Sequence, residues 1–293
     1  MPNLVQPLFN GPLDIIGDVH GEMEPLQSLL HRLGYDESGR HPRDRKLIFV
    51  GDLTDRGPDS PGVVELVQQF IDSERAQCVL GNHDLNLLLG LRKHDNSWFF
   101  GETFQDSDGE VVPQKVADEL TRNRVLDLFN ALPLALERDD LRVIHAAWDE
   151  AMIEIVRDHD NSVHLFQAYE ARINESLASR DLDEIDRELE HHNLNPVKRL
   201  TSGPEERVAV PFVTSGKQRF ERRVHWWNTY SGPFCVFGHY SILEGQPRGN
   251  DSTLCIDYGV GKRWIERKQG RTKNFKLKLA ALRWPEQRVV FDE

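Results

Sequence analysis

Cysteine is scarce in this chain: Cys78, Cys235 and Cys255 are the only three in 293 residues. Each lies inside an apolar, strand-like run, which excludes a disulfide-built scaffold and a structural zinc site, and suits free buried thiols in a reducing cytoplasm. Long hydrophobic runs are missing too; none approaches the roughly 20 residues that span a bilayer, so no membrane segment is expected. Met1 to Pro7 has neither the charged nor the apolar block of a secretory signal. A Gly-x-x-x-x-Gly-Lys-Ser/Thr loop is absent, so an attached P-loop kinase is not expected. Positive charge is in deficit, with 36 Lys and Arg against 48 Asp and Glu, a net charge of -12. That balance argues against broad, sequence-independent nucleic-acid binding, which needs a basic surface. Bound cations can reverse the field locally, so an anionic small substrate is still admissible. No internal repeat or low-complexity tract occurs.

What is present is a series of five short apolar runs, each ending abruptly in polar residues. Leu13-Asp14-Ile15-Ile16 precedes Gly17-Asp18-Val19-His20-Gly21, and Lys46-Leu47-Ile48-Phe49-Val50 precedes Gly51-Asp52-Leu53-Thr54-Asp55-Arg56-Gly57. Cys78-Val79-Leu80 precedes Gly81-Asn82-His83-Asp84, Leu141-Arg142-Val143-Ile144 precedes His145-Ala146-Ala147, and Phe234-Cys235-Val236-Phe237 precedes Gly238-His239-Tyr240.

Residues two apart in an extended segment point to the same side, so Asp18 and His20 can reach one cation from a single strand end. Asp52 has two carboxylate oxygens and can bridge two cations. Asn82, His145 and His239 complete a second shell. Carboxylate and imidazole donors without thiolate suit Mn, Fe, Zn, Co or Ni. Arg56 offers a planar fork for paired phosphate oxygens and never loses its charge. His83 can give a proton to a leaving oxygen near neutral pH, and Asp55 is the natural acidic partner to orient it. The plainer alternatives are a polar turn for Asp18 to Gly21 and a local surface ion pair for Asp55 and Arg56.

Together these residues resemble the phosphoprotein phosphatase branch of the calcineurin-like metallophosphoesterases, in its bacterial-type form. The resemblance implies a central β-sandwich flanked by helices, an α/β (α+β four-layer) fold with mixed sheets. It implies that Asp18, His20 and Asp52 hold one divalent metal ion while Asp52, Asn82, His145 and His239 hold the other, most naturally Mn2+. It further implies that a hydroxide shared by two metals about 3.5–4 Å apart attacks phosphorus directly, with no covalent phosphoenzyme. No cysteine sits in a phosphate-cradling loop, which excludes a cysteine-dependent mechanism. Ala146-Ala147 stand where eukaryotic members have two glycines, and no segment matches their second phosphate-binding arginine. Arg222 and Arg223 are candidates for that role; the alternative is a basic helix face over Arg219 to Trp227. Tyr258, in a loop resembling one at the site rim, is a candidate substrate contact or a packed side chain.

The ligands run from residue 18 to residue 239 and must converge, so residues 1–293 read as one catalytic domain. Helical spacing is expected at Leu26, Leu29, Leu30 and Leu33, at Val63, Val64, Leu66, Val67 and Phe70, from Leu85 to Leu91, and over residues 115–131. A polar stretch from Asn96 to Pro113 includes a turn at Asp106 to Gly109. Residues 150–195 form an acidic helical insert with sparse anchors at Leu182, Ile185 and Leu189, read as a solvated face or a cap over the cleft, with His191 and His192 exposed. Residues 267–278 are locally basic and read as a solvated hairpin, with a final strand from Trp284 to Phe291.

The leading functional expectation is a phosphatase of phosphoserine or phosphothreonine (also phosphotyrosine) proteins or peptides, because symmetrical diadenosine tetraphosphate hydrolases of the superfamily often lack an acid at the Asp55 position. The alternative enzyme is a dinucleoside polyphosphate hydrolase. An RNA-end phosphatase lacks support without an attached kinase. A non-catalytic binding protein would be expected to lose ligands that are all present here. The oligomeric state is not legible.

Overall fold

The computed structural model describes residues 3–93, 95–106, 108–214, 217–243 and 247–293. The first half contains β1 (Val5–Pro7), β2 (Leu13–Ile16), α1 (Met23–Leu33), β3 (Lys46–Phe49), α2 (Ser60–Asp72), β4 (Ala76–Cys78), α3 (Asn82–Leu88), β5 (Phe104–Gln105), β6 (Val111–Val112), α4 (Glu119–Ala131), β7 (Ala135–Arg138) and β8 (Leu141–Ile144). Four helices follow: α5 (Glu150–Arg157), α6 (Ser162–Leu177), α7 (Glu184–Leu194) and α8 (Pro196–Ser202). The chain then continues through β9 (Glu205–Thr214), β10 (Lys217–Arg223), β11 (Phe234–Phe237), β12 (Gly249–Asn250), β13 (Thr253–Cys255), α9 (Arg263–Lys268), β14 (Ala280–Trp284) and β15 (Arg288–Phe291).

Two mixed sheets stack face to face. One has the order β1-β7-β8-β11-β13-β12 and the other β15-β14-β2-β3-β4. Strands β2, β3 and β4 are parallel, as are β8, β11 and β13, while β14 runs antiparallel to β2. The layer between the sheets is dry and aliphatic: Leu13, Ile15, Ile48, Val79 and Leu282 from one side meet Leu136, Leu141, Val143 and Val236 from the other. The alternate residues Ile16, Leu47 and Phe49 join the second core with α1 and α2, whose Leu26, Leu29, Leu30, Leu33, Val63, Val64, Val67 and Phe70 are buried at the expected helical spacing. Period-2 alternation thus serves two cores at once, giving the expected helix-flanked sandwich.

One polar residue interrupts this alternation. Asp14 of β2 is fully buried and accepts from Tyr35 Oη (2.9 Å), Arg45 Nε (2.9 Å) and Nη2 (3.1 Å), and Arg283 Nε (3.0 Å). The carboxylate joins β2, the loop before β3, and β14.

Several local expectations are corrected. Arg219 to Arg223 lies on a strand, not a helix: β10 pairs antiparallel with β9, setting Arg222 opposite Glu206 and Arg223 opposite Glu205. Helix α4 begins at Glu119 because Asp118 caps it, accepting from Thr121 N at 2.8 Å. Helix α3 starts earlier than expected, at Asn82, and ends at Leu88. The stretch Asn96 to Pro113 is no plain polar loop; Trp98, Phe99 and Phe104 are buried, and β5 and β6 form a short hairpin. The expected turn lies at its tip, where Gly109 N donates to Asp106 O at 3.0 Å; Ser107 lies outside the described residues. Residues 269–278 after α9 are irregular and form no hairpin. Trp284 to Phe291 is not one strand, because Pro285 cannot continue the ladder and the chain turns back as β15. His191 and His192 are half-buried, the first bonded to Glu170 Oε2 (2.9 Å) and the second to Gly203 O (2.8 Å). Helix α7 buries no residue fully, in keeping with a solvated face.

Candidate active site

Asp18 and His20 follow β2, Asp52 follows β3, and Asn82 opens α3 just past β4. His145 follows β8 and His239 follows β11 in the opposing sheet. Parallel strands release their loops at the same edge, so residues far apart in sequence meet. His239 N donates to both oxygens of Asp18, at 3.3 and 3.1 Å, across 221 positions.

The loops are held in costly conformations. Nine described non-glycine residues have positive φ, and five of them belong to this site: His20 (48°), Asp52 (49°), Asp55 (75°), Arg56 (65°) and His239 (62°). Each costs about 1 kcal/mol or more, and such strain concentrates at functional sites. Glycine is required where backbone passes a ligand: a Cβ at Gly238 would lie 2.0 Å from Asp18 Oδ1, and one at Gly81 would lie 2.2 Å from Asp52 Oδ1.

The donor atoms form two adjoining groups. In the first, His20 Nε2 lies 4.0 Å from Asp18 Oδ2 and 3.7 Å from Asp52 Oδ2. In the second, Asn82 Oδ1 lies 3.1 Å from His145 Nε2 and 2.7 Å from His239 Nδ1, and His145 Nε2 lies 3.4 Å from Asp52 Oδ1. Asp52 therefore presents one oxygen to each group. Backbone carbonyls fix two rings: Thr54 O is 2.9 Å from His20 Nδ1 and Val50 O is 2.7 Å from His145 Nδ1, which turns each Nε2 toward the donor groups. His239 presents Nδ1 to the second group, while its Nε2, buried with no hydrogen-bond partner, faces away from Asn82. These observations fit a pair of divalent cations.

Charge within the site is strongly coupled. Burial, then Asp257, pushes the Asp18 carboxyl well above its ordinary range. Burial opposes ionisation of Asp52, but His145, His83 and His20 outweigh it and hold Asp52 well below its usual value. Burial and Arg56 keep His20 neutral; burial, Arg223 and His145 do the same for His239. Burial resists charge on His145 as well, yet Asp52 and Asp18 push it up to about 10. Asp84 is pushed up to about 7 by burial and Asp52, while backbone N–H groups of Asp52, Leu53 and Gly81 aim at its oxygens.

Beside the donors stands an acid–base pair. His83 Nδ1 lies 2.7 Å from Asp55 Oδ2, and Trp98 Nε1 donates to Asp55 Oδ1 at 2.7 Å. Burial and Arg56 lower the His83 pKa, but Asp52, Asp95 and Asp55 prevail and raise it. Asp95 Oδ2 anchors Arg56 Nε at 3.0 Å. The Arg56 guanidinium then reaches His20 Nε2 (2.9 Å) and His83 Nε2 (2.8 Å), at the junction of the two functions.

The remaining candidates separate. Arg223 Nη1 donates to His239 O at 3.0 Å, at the site margin. Arg222 points away, exposed and paired with Glu206 at 2.7 Å. Tyr258 is half-buried and packs edge-on against Phe291 with centroids 4.9 Å apart. Sequence reading missed Trp98, Asp95, Asp84 and Asp257 as supports. The last two sit directly after recognised features, one beside His83 and one at the end of β13, and could have been found by the strand-end rule. Trp98 and Asp95 had no such signal.

Carboxylates, imidazoles and an amide oxygen gathered at the shared edge of a two-sheet sandwich, next to an arginine and a histidine–aspartate pair, define a metal-dependent phosphoric ester hydrolase. Residues 11–260 match the family model for calcineurin-like phosphoesterases, and the chain belongs to that family, which uses divalent metal ions. A bis(5'-nucleosyl)-tetraphosphatase PrpE [asymmetrical] of Oceanobacillus iheyensis is 28% identical over 284 residues, covering 95% of this chain and 90% of the relative. The corresponding protein of Bacillus thuringiensis is 27% identical, covering 94% and 92%. Among solved structures, a Saccharomyces cerevisiae serine/threonine phosphatase aligns with TM-score 0.55 at 13% identity, covering 99% of this chain and 83% of that one. Another, whose own assignment as a diadenosine tetraphosphatase is provisional, aligns with TM-score 0.53 at 19% identity, covering 99% and 97%. At such identities these structures speak to the fold alone. Among the described residues no helix is long and apolar enough to cross a membrane, and the three cysteines are free and buried.

Proposed function

We propose that the chain hydrolyses dinucleoside polyphosphates such as diadenosine tetraphosphate, adding water across a phosphoanhydride bond. This reverses the order of the two enzyme readings drawn from the residues. The observation that carries it is the near-full-length similarity to relatives named as asymmetrical tetraphosphatases. Asp18, His20 and Asp52 would hold one cation and Asp52, Asn82, His145 and His239 the other, with Mn2+ favoured and Fe, Zn, Co or Ni suited to the same donors. Bound there, the cations would polarise phosphoryl oxygens and make water more acidic. Arg56 receives the non-bridging oxygens of the reacting phosphate, and Arg223 is a second, marginal cation for the chain of phosphates. Once Arg56 turns from His83 Nε2 to the phosphate, that nitrogen can carry a proton and give it to the departing oxygen, and Asp55 holds the ring and its charge. Tyr258 and the helices of residues 150–195 are assigned to substrate selection within one catalytic domain, and the free thiols suit a cytoplasmic location.

One feature favours the second reading, a phosphoserine or phosphothreonine phosphatase. An alkoxide is a poor leaving group and needs the proton that the Asp55–His83 pair supplies, whereas a nucleotide phosphate leaves readily without it. The test is kcat/KM of Mn2+-loaded protein for diadenosine tetraphosphate and for a phosphothreonine peptide, with products separated by chromatography. A preference of at least about tenfold for the dinucleotide, with AMP and ATP as products, is expected. A preference for the peptide would replace this reading with the second.

A further inference from the structure

A cavity of about 410 Å3 opens beside Arg56, walled by Pro58, Val111, Val112, Pro113 and Trp264. From this we infer a nucleobase subsite between the β5–β6 hairpin and α9, an inference that rests on the dinucleoside polyphosphate reading. Its volume suits a nucleoside-sized ligand. The walls are tied together: Lys268 Nζ bonds Asp106 and Asp108 at 2.6 Å and Glu110 at 3.1 Å, joining α9 to the hairpin. Arg267 Nη1 bonds Glu22 Oε1 at 2.7 Å, joining α9 to the segment just after His20. Phe104, buried in the hairpin, meets Trp264 edge-on with centroids 5.7 Å apart and fixes the indole.

Arg56 belongs to both places. Its guanidinium stands 2.9 Å from His20 and 2.8 Å from His83, and it also lines this cavity. A phosphate held by Arg56 therefore has an apolar, aromatic hollow as its neighbour. The same lining carries Glu22, Glu24, Asp106 and Glu110. Arg267 and Lys268 line it too and pair with Glu22, Asp106 and Glu110, so these ions largely cancel, and Glu24 can accept a hydrogen bond from the exocyclic amine of a neutral base. An aromatic ring, apolar walls and hydrogen-bond acceptors beside a phosphate site are what a base attached to that phosphate requires.

The test is calorimetric binding to the Mn2+-loaded protein of AMP, of ribose 5-phosphate, which lacks only the base, and of a phosphothreonine peptide. AMP is expected to bind at least about tenfold more tightly than ribose 5-phosphate, and Trp264→Ala to remove most of that difference. Val111→Trp, at an exposed position, fills the hollow instead of emptying it and is expected to remove the difference as well. Equal affinity of AMP and ribose 5-phosphate, or an undiminished difference in both variants, would overturn the subsite. So would a peptide affinity that depends on Trp264 when that of AMP does not. Turnover of diadenosine tetraphosphate is measured alongside. Failure of turnover with a Trp264-dependent preference for AMP would refute the substrate reading and keep the subsite, and the opposite pattern would do the reverse.

Discussion

Replacing Asp55 with asparagine removes one buried charge while keeping the side chain's size. The carboxylate now accepts from both His83 Nδ1 and Trp98 Nε1, each at 2.7 Å. An amide has one accepting oxygen, so its NH2 group must face one of those two donors. A hydrogen bond to a charged group contributes about 1.5–3 kcal/mol. At about 1.4 kcal/mol per pH unit, its loss lowers the His83 pKa by roughly one to two units. Wild-type His83 has a raised pKa. Its acid form, and with it the proton donated to the leaving group, is lost as pH rises through that raised value. In Asp55→Asn the alkaline limb of the profile therefore moves down by roughly one to two pH units. At a fixed pH above that limb, this is a loss of about 10- to 100-fold in kcat/KM for a phosphothreonine peptide. The assay is a pH series of kcat/KM from 5.5 to 10 on Mn2+-loaded protein, with circular dichroism to confirm folding. An alkaline limb that stays in place, with activity lowered evenly at all pH values, would refute the role given to Asp55.

Other outcomes follow from the same geometry. His83→Ala should cost at least about tenfold more in kcat/KM for an alkyl phosphomonoester than for diadenosine tetraphosphate, because only the alkoxide depends on a proton donor; equal losses would remove His83 from leaving-group protonation. Asp52→Asn should lower bound manganese, measured by plasma mass spectrometry, and reduce kcat by about 100-fold or more, since Asp52 presents an oxygen to each donor group. His145 is pushed up to about 10 in the metal-free protein, so at pH 7 it must lose a proton before it can ligate. Calorimetry in buffers of different ionisation enthalpy should therefore register proton release on Mn2+ binding, and metal affinity should rise with pH. Asp14→Ala strips the buried partner from Arg45, Arg283 and Tyr35 and should destabilise folding by about 3–5 kcal/mol in urea.

The donor set was legible because each member ends a short apolar run, and parallel strands bring such ends to a common edge. The flanking helices were legible for a related reason, their apolar stripes at 26–33 and 63–70 being continuous. The supports around the acid–base pair were not. Trp98 reaches Asp55 across 43 positions and Asp95 reaches Arg56 across 39, and nothing local encodes either contact. The alternative of a helix face at Arg219 to Trp227 failed because the β9–β10 ribbon has little core to impose a legible period of two. Val210 and Val213 are more than 70% exposed, and its arginines are explained by cross-strand glutamates instead of a helix face. Substrate choice was the least legible part. The acid at Asp55 pointed to phosphoproteins, while near-full-length relatives point to nucleotides, because the reacting centre is common to both and selection lies in the surrounding loops.

Diffraction from Mn2+-soaked crystals at the manganese absorption edge addresses the site itself. Two anomalous peaks about 3.5–4 Å apart are expected, one among Asp18, His20 and Asp52 and the other among Asp52, Asn82, His145 and His239. A single peak, or peaks away from Asp52, would contradict the two-cation site on which the proposed chemistry depends.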